Sequence, residues 1–145
     1  MNKPLVVRLR NWVGDVVLST AVLRRLEQAG YTLHLIGKPW SLDLLEGFGW
    51  SMEKLGATPR ERIAQLARWR ADAAGLPWGS QGPLNALSLP YSFSSAAEMR
   101  CAGLRSMGYD GEGRALLLSR LLRSAWSAAI TALLIAATLE WGLPR

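Results

Sequence analysis

The sequence predicts an α/β fold, a mostly parallel sheet flanked by helices, on three observations. An apolar run at residues 4–10 passes directly into a helical pattern, so the chain opens with strand, tight turn and helix. Strand-like and helix-like patterns then follow one another down the chain, the alternation that builds parallel sheets. At 145 residues the chain is one domain's worth, enough to withdraw roughly two thirds of its surface from water.

Pro4-Leu5-Val6-Val7-Arg8-Leu9-Arg10 starts rich in β-branched residues and then alternates apolar with basic, as suits a strand entering the middle of a sheet. Val16, Val17, Thr20, Leu23 and Leu26 recur at three- and four-residue spacing, which marks an amphipathic helix ending near Gly30. Tyr31 to Ile36 reads as a second strand, closed by Gly37 and the Lys38-Pro39 turn. Trp40 to Phe48 reads as a short helix with Leu42, Leu45 and Phe48 on one face, and Ser51 to Leu55 as a brief third strand. Pro59 opens the next helix, since the first helical position tolerates a missing N–H; Ile63, Leu66, Ala67 and Arg70 share a face of it.

From Ala73 to Gly82 the Gly, Pro, Trp and Ser content marks a loop. Leu84 to Leu89 then gives a strand, Ser92 or Ser94 caps a helix running to about Ala102, and Leu104 to Tyr109 is a further strand. Ala125 to Leu139 is Ala- and Leu-rich and free of charge. As a helix it spans about 22 Å, short of the roughly 30 Å hydrocarbon core, so it is read as packing on the sheet or exposing an apolar face.

Seventeen basic residues against eleven acidic give a net charge of +6, which favours an anionic partner such as phosphate or a membrane surface. The arginines are spread in pairs, Arg8/Arg10, Arg24/Arg25, Arg60/Arg62 and Arg68/Arg70, and read mostly as a solvated surface. With no dense tract and no nucleic-acid-binding signature, no nucleic-acid partner is expected. The single Cys101 cannot form an intrachain disulfide, and with only His34 beside it no metal cluster is expected. Cys101 is read as a small core residue and His34 as a packed or edge histidine. No dinucleotide fingerprint, Walker loop or repeat occurs, so no cofactor is expected. Lys3 and Pro4 precede only a short apolar run, unlike a signal peptide, which predicts a cytoplasmic location.

Gly14-Asp15 falls on the first strand-to-helix turn, and in open α/β sheets ligands bind in the crevice beyond the carboxyl ends of the strands. Unpaired N–H groups and the helix dipole favour an ionised carboxylate there, as a general base must be. Asp is also among the best helix caps, and on local pattern alone the structural cap is the favoured reading.

Arg10-Asn11-Trp12-Val13-Gly14-Asp15, followed by Ser19-Thr20-Ala21, resembles the opening of the ADP-heptose:lipopolysaccharide heptosyltransferases, a family of two-domain GT-B glycosyltransferases. Leu87-Ser88-Leu89-Pro90-Tyr91-Ser92-Phe93-Ser94-Ser95-Ala96 is similar to the family's strand-then-helix stretch. Arg105-Ser106-Met107-Gly108-Tyr109, with Glu112-Gly113-Arg114 and Leu116-Leu117-Leu118, resembles its next strand, Gly-rich turn and Leu-rich strand. The three motifs stand in the family's order over roughly residues 4 to 122. Two departures are plain: family members are more than twice as long, and a short Asp-bearing strand of the family is lost or shortened near residues 73–82.

The resemblance implies a Rossmann-like acceptor-binding domain over 1–123 and an apolar C-terminal helix of interdomain type over 124–145, with the second GT-B domain absent from this sequence. It implies Asp15 as catalytic base and Asn11, Trp12, Gly14, Ser19, Ser92, Ser95 and Arg114 as substrate-binding residues. Read without the family, Ser92 and Ser95 are helix caps, and Arg114 is an ion-pair partner of Asp110 or Glu112. The implied reaction is inverting transfer of heptose from ADP-heptose to the lipid A–core acceptor of lipopolysaccharide, at the inner-membrane surface, with most of the donor site in the second domain. A non-catalytic truncated remnant, or a protein binding anionic lipid or a membrane surface, is the alternative.

Overall fold

In the computed structural model, residues 3–72, 85–90, 92–109 and 120–122 are described. They run β1 (Lys3–Arg8), α1 (Val13–Gln28), β2 (Tyr31–Gly37), α2 (Pro39–Leu45), a 3₁₀ turn (Glu46–Phe48), β3 (Ser51–Lys54), α3 (Pro59–Asp72), β4 (Ala86–Ser88), α4 (Phe93–Cys101), β5 (Ser106–Tyr109) and β6 (Arg120–Leu122). The strands form one sheet in the order β3-β2-β1-β4-β5-β6, with every neighbouring pair parallel.

Strand alternation divides the core in two. Leu5, Val7 and Leu9 point to one face, where they meet Val16, Val22, Leu23 and Leu26 of α1 and Leu45 of α2. Val6 points to the other, against Leu66 of α3, Met99 of α4 and Ala102 at the end of that helix. The sheet is therefore covered on both faces, as a parallel sheet with near-continuous apolar strands requires. A polar lock joins the second layer: Glu98 of α4 binds Arg8 of β1 through one carboxylate oxygen and Arg62 of α3 through the other, the latter at 2.8 Å. Arg62 also donates to the carbonyls of Gly56 and Ala57, at 3.3 and 3.0 Å.

Helix ends follow local chemistry. Gly30, at φ +86°, takes the left-handed conformation that stops α1 one step before β2. At α3, Thr58 Oγ1 accepts from the Glu61 N–H at 3.2 Å while Glu61 Oε2 accepts from the N–H groups of Ala57 and Thr58. This reciprocal cap, with Pro59 between, fixes the start of the helix.

Several expectations are corrected. β1 ends at Arg8, not Arg10, although Leu9 still donates its N–H to Ile36 at 2.9 Å. The helix expected at 40–48 is α2 plus a 3₁₀ turn, ended by Gly49 at φ +74°. Arg8 is buried, at 8% exposure, and not part of a solvated surface, because the alternation that buries Val6 buries it too. Cys101 is exposed and not in the core: α4 buries Ser95, Ala96, Glu98, Met99 and Ala102, and position 101 falls on the opposite side of that stripe. His34 is packed, its ring 4.2 Å from that of Trp69. Among the described residues no helix is long and apolar enough to cross a membrane. The segments 73–82, 110–114, 116–118 and 124–145 lie outside the described residues.

Two measurements test this account. Glu98→Ala strands Arg8 in the interior without its counter-charge and is expected to destabilise the chain by about 3 kcal/mol in denaturant unfolding, with Arg8→Met recovering part of that loss. The N–H groups of Thr58 and then Ala57 hold the Glu61 carboxyl below its ordinary value of 4.5. Its contribution is thus fully present above that value and is lost as pH falls through the lowered one. The stability difference between the chain and Glu61→Ala, measured by thermal melting, is expected to be constant near neutrality and to vanish in strong acid.

Candidate functional site

The strand order locates the site. β1 continues to β2 and β3 on one side while β4, β5 and β6 extend on the other, so the order reverses between β1 and β4. The region beyond the carboxyl ends of those two strands is the position at which open α/β sheets bind ligands. The two ends are in register, Arg8 opposite Ser88, and the Leu89 N–H reaches the Arg8 carbonyl at 3.2 Å. The β1–α1 corner and the β4–α4 corner, which carry most of the predicted residues, both lie at this reversal.

Five residues form the first corner. Trp12 is the N-cap of α1, in extended conformation (φ −116°, ψ 136°) and without a side-chain capping bond. Asp15 is therefore not the cap; it stands in the first helical turn, its side chain 25% exposed, with Oδ1 3.1 Å from Nη1 of Arg10. That ion pair bridges the strand exit and the helix entry and fixes the direction of the carboxylate. Asn11 and Gly14 are exposed, and a side chain added at Gly14 would meet nothing within 4 Å. Trp12, at 76% exposure, is the most exposed large apolar side chain of the described residues, with Val13, Val17 and Leu18 exposed along α1 behind it.

The serines divide differently from expectation. Ser92 is the N-cap of α4 and half-buried, but its side chain makes no capping bond; its hydroxyl accepts from Ser94 at 3.3 Å. Ser95 is fully buried and donates to the Ser92 carbonyl at 2.7 Å, with the Ser88 hydroxyl 3.3 Å away. Ser19 is buried and donates to the Val16 carbonyl at 2.7 Å, one turn back along α1. Both hydroxyls are spent inside the fold, on the local backbone bonds that serine readily makes. The structure thus brings Asn11, Trp12, Gly14 and Asp15 together at one corner and Ser92 at the neighbouring one. Arg114 lies outside the described residues.

What sequence reading missed is the charge beneath the corner. Arg8 and Arg62 on the single carboxylate of Glu98 leave one excess positive charge at the carboxyl end of β1. The N-termini of α1 and α4 open toward the same edge and add the positive ends of their dipoles. A glutamate on the buried stripe of α4, in line with Ser95, Met99 and Ala102, was the available signal. Among the described residues no three His, Cys, Asp or Glu side chains gather to hold a metal ion.

Structural comparison finds E. coli ADP-heptose LPS heptosyltransferase II, with a TM-score of 0.67 and 23% identity, covering 84% of this chain and 35% of that one. The fold, a parallel sheet flanked by helices, is that of the matched part of this structure. The chain thus spans about a third of the length of the solved structure it matches. It matches no protein-family model. No curated protein matches it either.

If the space over Gly14 is kept for a ligand and not for folding, filling it costs the fold nothing. Gly14→Ala is expected to raise thermal stability by about 0.5 kcal/mol, since alanine restricts the unfolded chain and suits a helix; a drop in melting temperature overturns that reading of the corner.

Proposed function

We propose that this chain is the acceptor-side part of an inverting glycosyltransferase of the heptosyltransferase kind, moving heptose from ADP-L-glycero-D-manno-heptose to the lipid A–core acceptor. The observation that carries the reading is the position of Asp15: a partly exposed carboxylate, oriented by Arg10, at the strand-order reversal of a sheet with this fold. Because the fold alone is shared at 23% identity, the substrates are inferred from that likeness and from the chemistry of the corner.

In the proposed reaction an acceptor hydroxyl lies against Asp15. Its oxygen attacks the anomeric carbon of the donor, the new C–O bond forming as the bond from that carbon to the diphosphate oxygen breaks. Arg10 holds Oδ1, and Oδ2 receives the hydroxyl proton as the attack proceeds, so the oxygen never carries a full positive charge. ADP departs from the opposite face with the electron pair, which inverts the anomeric centre. The exposed Asn11 amide and the half-buried Ser92 hydroxyl supply hydrogen bonds to the acceptor sugar. In this reading the donor nucleotide is held mainly by chain of the kind that makes up the unmatched remainder of the solved relative. A lipid acceptor and the net charge of +6 support a peripheral position at the inner-membrane surface.

The test is a coupled assay of ADP release with ADP-heptose and lipid A–core acceptor. Transfer is expected when a donor-binding domain is supplied with this chain, and Asp15→Asn is expected to lower it by about 10²–10⁴-fold with the fold intact. Transfer that survives Asp15→Asn unchanged removes the assigned base.

A further inference from the structure

We infer that the carboxyl edge of the sheet is the face that docks on an anionic phospholipid bilayer, an inference that rests on the transferase reading above in taking the lipid side of the acceptor as the occupant. The first ground is where apolar surface is left in water. Of the six large apolar side chains exposed among the described residues, Trp12 and Val13 stand at the β1–α1 corner and Phe93 at the start of α4, on the adjacent strand's corner. Val17 and Leu18 continue the patch one turn up α1, on the same outward stripe as Gly14 and Ala21, and Leu44 lies apart on α2. Among the described residues α3 leaves no large apolar side chain exposed. Folding does not call for an indole at an N-cap where it makes no bond, or for a phenyl ring in water at the first position of α4. Apolar side chains gathered in this way mark a surface that something covers.

The second ground, charge, selects the occupant. Because the strands are parallel, Lys38 after β2, Lys54 at the end of β3 and Arg60 in the first turn of α3 lie on this same edge. All three are exposed, and none is ion-paired among the described residues. With Arg10 they make four cations against two carboxylates, Asp15 and Glu61, an excess of two positive charges. Both carboxylates are already engaged, Asp15 by Arg10 and Glu61 by the N–H groups of Ala57 and Thr58. An apolar protein partner would bury the cations against nothing. Lipid phosphates meet them at the depth where an indole settles, the boundary between hydrocarbon and water. That boundary is wet, so the Asn11 amide and the Arg10–Asp15 pair stay solvated while Trp12, Val13 and Phe93 enter it. A lipid-linked acceptor then rises into the corner from the surface on which the edge rests.

The experiment is vesicle flotation of the full chain, on phosphatidylcholine alone and on equal parts phosphatidylcholine and phosphatidylglycerol, followed by hydrogen exchange of the bound protein. Capture by the anionic vesicles is expected, about tenfold weaker on the neutral ones and weakened by salt. Trp12→Ser combined with Phe93→Ser is expected to lower it about tenfold. Lys38→Gln combined with Lys54→Gln is expected to lower it and to flatten its salt dependence, while Leu44→Ser leaves it unchanged. All five positions are exposed, so the melting temperatures do not fall. Bound vesicles are expected to slow amide exchange at residues 11–18 and 92–95 and not at the far ends of the same helices. Equal capture by neutral vesicles, unaltered capture of the Trp12/Phe93 variant, protection confined to the far helix ends, or no capture by anionic vesicles each overturns the docking. Docking without Asp15-dependent transfer removes the assigned base and keeps the bilayer as the partner of this edge. Asp15-dependent transfer to a detergent-dispersed acceptor, by a chain that anionic vesicles do not capture, does the reverse.

Discussion

The arrangement rests on one carboxylate. Glu98 closes the layer beneath α3 and α4 by taking a guanidinium on each oxygen, one from the strand at the centre of the sheet and one from the neighbouring helix. Buried charge is tolerated only when its hydrogen-bonding capacity is filled, and here charge-assisted bonds fill both oxygens. The geometry also sets a limit: Arg8 must end β1 facing the second layer, because Val7 before it and Leu9 after it face the first. The chain leaves the sheet two residues beyond that anchor, so the β1–α1 corner is fixed from below by residues that belong to α3 and α4.

Around that anchor the carboxyl edge of the sheet becomes an unequal surface. Its floor carries an excess positive charge and two helix N-termini, which attract anions. Its rim carries an exposed indole, an exposed amide and a carboxylate paired with Arg10. These two characters are supplied by different layers of the fold: the charge by Arg8 and Arg62 under α4, the rim by the turn that enters α1. Ser19 and Ser95 lie just inside and contribute rigidity, each tying its own helix turn to a backbone carbonyl.

Much of the architecture was legible because period-2 and period-3.6 patterns are local properties. Val16, Leu23 and Leu26 marked α1 and are buried; the β-branched opening marked β1, and Pro59 marked the start of α3. The corner was also legible, since Gly14 and Asp15 sit between two unambiguous patterns. What escaped was whatever depends on partners distant in sequence. Arg8 read as one of several surface arginines because its counter-charge is 90 positions away. Ser19 and Ser95 read as ligand-facing because a hydroxyl's outward or inward direction is decided by the helix phase against the sheet and not by the residue type. Local pattern alone favoured Asp15 as a cap because sequence cannot say whether a helix begins at Trp12 or three residues later. The reciprocal bonds of Thr58 and Glu61 were available in the spacing T-x-x-E and sharpen the start of α3.

The outward turn of position 101 gives the molecule a chemical property that its composition alone does not. A lone thiol at the surface of a chain with no second cysteine can form a disulfide only with another molecule, so air oxidation of the purified chain would yield covalent dimers joined at the end of α4. The same thiol is a single natural attachment point for a maleimide dye or spin label, which reports on the layer that carries Glu98 without any engineered residue.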